Sequence, residues 1–138
     1  MKAIILAAGI GSRLGKPHPK PLTKLTTGET ILARQIRHLS NFIGKDNIII
    51  VVGFKKDLIM EAFSSQLFVY NNIYDTTNTS KSLLCALNKI NNEDVLWLNG
   101  DVVFDGNVLE PIINFDGSCM AVNTYSVAEE EVKYNVFE

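Results

Sequence analysis

Unbroken runs of apolar residues are the feature that most restricts how this chain can fold. The run Lys2–Leu6 leads through two alanines into Gly9, and the run Asn47–Val52 reads NIIIVV before Gly53. A strand that is apolar on both faces needs cover on both faces, which is typical of the parallel sheets of α/β proteins. These runs therefore predict buried strands with helices on either side of the sheet.

Segments with helical spacing separate these strands. Residues 30–43 repeat apolar side chains at helical spacing and end at Gly44, which predicts an amphipathic helix. By the same criteria we predict helices over Asp57–Phe63, Ser80–Ile90 and 107–113, and strands over Leu67–Tyr70, Asp94–Leu98, Cys119–Thr124 and Val132–Phe137. The alternation predicts one α/β domain over residues 1–138, with a Rossmann-like three-layer α/β/α arrangement and a mostly parallel central sheet.

The composition argues against several classes of protein. The net charge is −2 and the isoelectric point is near 5.7, which argues against a broad nucleic-acid-binding face. No apolar run approaches the roughly 20 residues of a membrane span, and no signal-peptide pattern follows Met1. Cys85 and Cys119 lie in apolar surroundings without metal-ligand spacing, so we expect buried, reduced thiols. We expect a cytoplasmic protein with neither nucleic-acid nor membrane partners.

Residues 5–22, ILAAGIGSRLGKPHPKPL, place glycine, proline and positive charge directly after the first strand. Backbone N–H groups beside Gly9 and Gly11 can approach a phosphate closely. A dinucleotide-binding fingerprint would need a third glycine where Leu14 stands and a helix that begins at once, which the prolines prevent. A P-loop would need Ser or Thr after Lys16, where this chain has proline. Both standard phosphate-binding motifs are thus excluded.

A long cationic loop over a strand end remains. Arg13 offers a planar guanidinium suited to phosphate oxygens, and Lys20 offers a compact ammonium. Asp101 also follows the end of a predicted strand. Because ligands of parallel sheets bind at the carboxyl ends of strands, where the strand order reverses, we expect these three side chains to face one cleft.

These residues resemble the signatures of the nucleotidyltransferases that activate sugar phosphates and small alcohol phosphates, the MobA-like NTP transferase superfamily. Their first signature is an apolar strand, then A-A-G-x-G-x-R followed by Leu or Met, then P-K; residues 7–14 and Pro19-Lys20 match it. The interval between Arg13 and Lys20 is similar to that of the methylerythritol-phosphate cytidylyltransferases.

Two later segments extend the resemblance. Asn72-Ile73-Tyr74, followed by Asn78 and Ser82-Leu83, resembles a segment of the phosphocholine cytidylyltransferases. Residues 95–101, an apolar strand followed by Gly-Asp, are similar to the element whose aspartate holds magnesium in the family. The three segments occur in the family's order along the chain.

The resemblance implies a Mg²⁺-dependent cytidylyltransferase that transfers CMP from CTP to a small phosphorylated acceptor and releases pyrophosphate. Over the whole chain the sequence is similar to the cytidylyltransferases of bacterial capsule biosynthesis that transfer CMP to phosphoglutamine for phosphoramidate synthesis, so the resemblance implies phosphoglutamine as a candidate acceptor. The implied catalytic residues are Lys20, Arg13 and Asp101, and Asp101 is the implied metal ligand. The implied nucleotide-binding residues are Leu6, Ala7, Ala8, Gly9, Ile10, Gly11, Ser12, Arg13, Lys20, Asn78 and Ser82. Tyr74 and Asp105 are candidates for the acceptor pocket.

Several alternatives stay open at this point. Ser82 either contacts the pyrimidine or bonds its own backbone at a helix start, and Asn78 either binds nucleotide or shapes the turn. Asp105 contributes either to the acceptor pocket or to a turn, Trp97 is interpreted as core, and His38 as exposed. The chemistry could also be that of a sugar-1-phosphate, phosphocholine or molybdopterin nucleotidyltransferase, or that of a catalytically weak nucleotide-binding module.

Family members are usually longer than this chain and supply a second metal ligand from a later segment. We therefore expect a chain truncated at its C-terminus, or a substitute ligand among Glu129, Glu130 and Glu131. The oligomeric state is left open, with a dimer as one option.

Overall fold

The computed structural model describes residues 1–11, 18–125 and 135–136. In this part of the chain a four-stranded parallel sheet has the order β3-β2-β1-β4. The strands are β1 (Lys2–Ala7), β2 (Ile48–Val52), β3 (Leu67–Tyr70) and β4 (Val95–Asn99). The helices are α1 (Ile31–Ile43), α2 (Lys56–Ala62), α3 (Thr79–Leu87) and α4 (Leu109–Ile113). Among the described residues, no helix is long and apolar enough to cross a bilayer.

Both faces of the sheet are covered, which confirms the three-layer α/β/α prediction. Ile5 and Ile50 point to the face covered by α1, α2 and α4, whereas Ile4 and Val51 point to the face covered by α3. All four of these side chains are fully buried. Burying each one stabilises the fold by about 1.5–3 kcal/mol relative to exposure, so the strands that read as continuous apolar runs form the centre of the core.

The strand order reverses at β1. From β1 the chain adds β2 and then β3 on one side, and it returns to place β4 on the other side of β1. The carboxyl ends of β1 and β4 therefore lie side by side at the point of reversal. Such a reversal is where parallel α/β sheets bind ligands.

The ends of α1 follow from its local sequence. The Thr30 hydroxyl accepts a hydrogen bond from the Ala33 backbone N–H at 3.1 Å, and Gly44 ends the helix with a φ of 78°. A hydroxyl at the N-cap satisfies a backbone donor that has no intrahelical partner, and glycine adopts positive φ without strain. The helix predicted over Ser80–Ile90 is confirmed as α3, but it ends at Leu87 rather than at Ile90.

Three predictions about the second half of the chain are wrong. Residues 119–124 form no strand and are exposed, because no neighbouring strand pairs with them in the described part of the chain. Cys119 is accordingly exposed, while Cys85 is half-buried. Trp97 is 49% exposed, because α3 packs mainly on β1, β2 and β3 and leaves that face of β4 open. The predicted strand over 132–137 falls almost entirely outside the described residues.

His38 is half-buried, so its interpretation as an exposed residue is also wrong. Its ring lies 5.9 Å from that of Phe104, and its Nε2 is buried without a hydrogen-bond partner among the described residues. Burial lowers the pKa of His38 below its usual value, and the cations Arg37 and Arg34 lower it further, against the opposing carboxylates of Glu29 and Asp105. The neutral imidazole is therefore the form that the fold favours.

This burial predicts a pH dependence of folding stability. In the unfolded chain His38 has a pKa of about 6.5, which is above its pKa in the folded chain. The stability that neutral, buried His38 contributes is therefore fully present above about pH 6.5. It is lost as the pH falls through the lowered pKa of the folded state. Urea unfolding of the wild type and of His38→Gln between pH 5 and pH 8 should show the wild type losing more stability on acidification. Parallel profiles would contradict the assignment.

Candidate functional site at the carboxyl ends of β1 and β4

A cavity of about 360 Å³ opens at the carboxyl ends of β1 and β4. Its volume lies within the usual range for small-molecule sites. The sequence-predicted site residues that line it are Leu6, Ala7, Ala8, Gly9, Gly11, Lys20, Tyr74, Asn78, Ser82 and Asp101. Four further lining residues were not predicted, namely Pro21, Thr77, Thr79 and Asn99. The fold thus brings the three matched segments together at one crevice.

Four of the predicted residues are not placed in this lining. Ser12 and Arg13 lie outside the described residues. Ile10 is 41% exposed and is not part of the cavity wall. Asp105 lies away from the wall as well, where its carboxylate forms an ion pair with the Arg34 guanidinium at 3.3 Å. Asp105 precedes the 3₁₀ turn Gly106–Val108, as the turn alternative anticipated.

Lys20 and Asp101 place opposite charges in the cavity. The Lys20 Nζ lies 3.7 Å from the Asp101 Oδ2. Asp101 reaches this place because the Gly100 N–H donates to the Leu6 carbonyl at 2.8 Å and so carries β4 alongside β1. Both side chains are partly solvent-exposed, and such a pair contributes no more than about 1 kcal/mol to stability. The pair is therefore easily exchanged for contacts with a charged ligand.

Gly11 allows the Lys20 side chain to lie against the loop that follows β1. Its φ is +61°, and a Cβ at this position would approach the Lys20 Cγ to 3.0 Å. Glycine adopts this backbone conformation without strain, and its missing side chain leaves room for the lysine stem. The glycine of the first signature thus has a packing reason in this structure.

Gly53, at the end of β2, positions Tyr74. A Cβ at Gly53 would lie 2.6 Å from the Tyr74 Cβ and 2.8 Å from the Ala8 carbonyl oxygen, closer than van der Waals contact permits. The neighbouring Phe54 N–H donates to that same carbonyl at 3.1 Å, and its ring lies 6.5 Å from the Tyr74 ring. The absence of a side chain at Gly53 thereby lets Tyr74 pack against the end of β2, where it lines the cavity.

Asn71 holds together the part of the cavity wall that Thr77 and Ser82 form, and it was missed by the sequence analysis. It is 1% exposed, and its Nδ2 donates to the Thr77 Oγ1 at 2.9 Å and to the Ser82 Oγ at 3.0 Å. Its Oδ1 accepts from the Ile73 N–H at 3.2 Å. The resemblance had drawn attention to Asn72, which is exposed. The available signal was the position of Asn71 directly after an apolar strand, where a buried amide needs several partners.

The structure gives Ser82 and Asn78 hydrogen-bond partners within the protein and also places both in the cavity wall. Ser82 is buried at 7% exposure, and within the described residues its hydroxyl pairs with Asn71 rather than with its own helix backbone. A hydroxyl that accepts a hydrogen bond can still donate its proton. The Asn78 Oδ1 caps α3 by accepting from the Lys81 N–H at 3.3 Å, and the residue also lines the cavity.

The residues of the cavity fit a magnesium ion that arrives with an anionic ligand. Among the described residues, no group of three His, Cys, Asp or Glu side chains could enclose a metal by itself. Magnesium in phosphate-processing sites is commonly held by one or two carboxylates plus substrate phosphates and waters. Asp101 provides one such carboxylate at the cavity wall.

The parallel sheet, whose strand order reverses at β1, and the polar crevice at that point are typical of the α/β proteins that bind ligands at the carboxyl ends of their strands. Residues 3–131 match the family model of the MobA-like NTP transferase domain, and the chain belongs to that family. This match confirms the resemblance noted in the sequence at the level of the family.

Curated relatives are similar over most of this chain. CMP-5'-(3-aminopropyl)phosphonate synthase from Streptomyces rubellomurinus is 38% identical over 119 residues, which are 80% of this chain and 18% of that protein. The bifunctional protein GlmU from Methanococcus maripaludis is 35% identical over 117 residues, 82% of this chain and 28% of that protein. The chain therefore spans less than a third of either relative.

Solved structures agree in fold. A nucleotidyl transferase from Methanothermobacter is 28% identical with a TM-score of 0.61, over 72% of this chain and 50% of that chain. CTP:phosphocholine cytidylyltransferase from Streptococcus pneumoniae is 31% identical with a TM-score of 0.58, over 72% of this chain and 44% of that chain. This chain thus corresponds to about half of each solved relative.

Proposed function

We propose that this domain binds CTP with Mg²⁺ and transfers CMP to a small phosphorylated acceptor, with release of pyrophosphate. The observation that carries the proposal is the Lys20–Asp101 pair, 3.7 Å apart on the wall of the cavity at the strand-order reversal. A cation that can pair with phosphate and a carboxylate that can hold a metal are the two groups that nucleotidyl transfer requires.

In the proposed reaction an oxygen of the acceptor phosphate attacks the α-phosphorus of CTP. The new O–P bond forms as the bond between the α-phosphorus and its bridging oxygen to the β-phosphorus breaks, and pyrophosphate leaves with that electron pair. Both reactants are anions, so the protein has to position them and compensate their charge.

The roles of the residues follow from their places in the cavity. The Lys20 ammonium would compensate the charge that grows on the α-phosphate, and the open backbone at Gly9, where a Cβ would meet nothing within 4 Å, leaves room for phosphate. Arg13, from the first signature, would hold the β- and γ-phosphates. Asp101 would hold Mg²⁺, which when bound supplies charge neutralisation and orientation of the phosphates.

Two observations support CTP and a small acceptor. Two of the relatives are a CMP-5'-(3-aminopropyl)phosphonate synthase and a CTP:phosphocholine cytidylyltransferase. The cavity wall also carries the Ser82 hydroxyl and the Asn78 amide, which can hydrogen-bond to a base edge. Tyr74 forms a part of the wall that could contact the acceptor, with phosphoglutamine as the specific acceptor proposed.

A pyrophosphate-release assay tests the proposal. CTP, UTP, GTP and ATP are each paired with phosphoglutamine, phosphocholine and a sugar 1-phosphate, with and without Mg²⁺, and nucleotide binding is followed in parallel by thermal shift. We expect pyrophosphate from CTP only when Mg²⁺ is present. Stabilisation by CTP without pyrophosphate from any acceptor would favour a nucleotide-binding module, and turnover with UTP would favour the sugar-phosphate type. No stabilisation by any nucleotide would overturn the proposal.

A further inference from the structure

Gln35 reaches from the middle of α1 to the turn that carries Asp101. Its Nε2 donates to the Asn99 carbonyl at 2.9 Å and to the Val102 carbonyl at 2.7 Å. These two carbonyls flank Gly100 and Asp101 in the sequence, so a single amide group holds both ends of the turn. Gln35 itself is 1% exposed.

Gln35 provides two of the hydrogen bonds that join the turn to the rest of the fold. Its internal hydrogen bond, from the Val102 N–H to the Asn99 carbonyl, is long at 3.3 Å. The Gly100 N–H anchors the start of the turn to β1, but Asp101 and Val102 are themselves exposed. Gln35 is the described side chain that bonds the backbone at both ends of this segment.

Folding stability alone does not account for a glutamine at this position. The Gln35 Oε1 is buried with no hydrogen-bond partner among the described residues, and an unsatisfied buried acceptor is unfavourable. Both carbonyls that Gln35 binds belong to the turn that carries Asp101, so its two hydrogen bonds act on that turn. An apolar side chain of the same length would fill the same space but would leave both carbonyls without this donor, so its main structural effect falls on the turn.

We infer that Gln35 is a positioning residue that fixes the Asp101 carboxylate for binding the metal and the nucleotide. The inference rests on the proposed function of Asp101 and assigns Gln35 a part in it. Residues that orient a metal ligand through hydrogen bonds commonly change metal affinity by about 10–100-fold when mutated.

Gln35→Met tests the inference in the whole chain. Methionine keeps the length and the helix propensity but donates no hydrogen bond. In the ligand-free protein, amide exchange at residues 100–102 should become about tenfold faster while β1 exchanges as before. With CTP present, the Mn²⁺ concentration at half-saturation should rise about tenfold, while CTP affinity measured in EDTA stays within about twofold.

Two further variants separate positioning from a general loss of stability. Ile36→Val, on the next residue of α1, removes one methylene from the core and should leave both the turn exchange and Mn²⁺ binding unchanged. Gln35→Glu places a carboxylate against two carbonyl oxygens and should weaken Mn²⁺ binding at neutral pH. Protonation restores one donor, so this variant should approach the wild type measured at the same lower pH.

The outcomes distinguish this inference from the proposed function. If the wild type binds neither Mn²⁺ nor CTP, the proposed function fails and with it the metal-binding part of the inference, while faster turn exchange in Gln35→Met still supports the structural part. Unchanged exchange at residues 100–102 overturns the inference. Faster exchange with unchanged Mn²⁺ half-saturation in a protein that binds CTP also overturns it.

Discussion

Replacing Asp101 by asparagine is expected to lower kcat/KM for CTP-dependent pyrophosphate release by about 10³-fold, or about 4 kcal/mol of transition-state stabilisation. Asparagine has nearly the same volume but no charge, so it cannot hold a divalent ion and its phosphates as a carboxylate does. The substitution also leaves the Lys20 ammonium without its partner at 3.7 Å. Steady-state pyrophosphate release at saturating Mg²⁺ measures the effect.

The matched control for Asp101 is at the other end of the same strand. Asp94 immediately precedes β4, where its backbone carbonyl accepts from the Lys2 N–H, and the residue is absent from the cavity lining. Asp94→Asn makes the same chemical change at the amino edge of the sheet and should leave turnover within about twofold of the wild type. Equal losses in the two variants would show that the carboxylate at the cavity has no special role.

Replacing Lys20 by methionine is expected to lower turnover by about 10²-fold, roughly 3 kcal/mol, as for the loss of one preorganised donor. The same substitution should strengthen Mn²⁺ binding in the absence of nucleotide by up to about fivefold, because the ammonium that competes for Asp101 is removed. Methionine keeps the stem that packs beside Gly11. Turnover and Mn²⁺ relaxation titrations measure the two effects.

Lower turnover together with stronger Mn²⁺ binding is the distinctive outcome expected for Lys20→Met. Lys45→Met is the control, since Lys45 precedes β2 at the opposite edge of the sheet and should change neither quantity. Weaker Mn²⁺ binding in Lys20→Met would contradict the competition between the ammonium and the metal. Near-normal turnover would remove Lys20 from the chemistry.

The parts of the fold that the sequence predicted well are those whose side chains are buried on every side. The strands β1 and β2 read as continuous apolar runs because both faces of the sheet are covered, and the pattern alone required that cover. Trp97 shows the limit of this reasoning, since an apolar residue in a strand is exposed when its strand lies at an edge that the helix does not reach. Position within a sheet is not written in the pattern of a single strand.

The residues of the candidate site also differ in whether the sequence could identify them. Glycine spacing, Lys20 and Asp101 were recognisable because their chemistry is carried by residue type and by local order along the chain. Asn71 and Gln35 were not, because each acts through hydrogen bonds to residues that are distant in sequence and carries no motif of its own.

The sequence by itself determined the class of the fold and the groups that can meet a phosphate, because periodicity and residue chemistry are local properties of a chain. Only the tertiary structure decided that Lys20 and Asp101 lie 3.7 Å apart and that one buried amide holds the Asp101 turn. Those distances depend on how β4 returns beside β1 and on how α1 packs across the sheet. Such arrangements follow from the packing of the whole core rather than from any one segment.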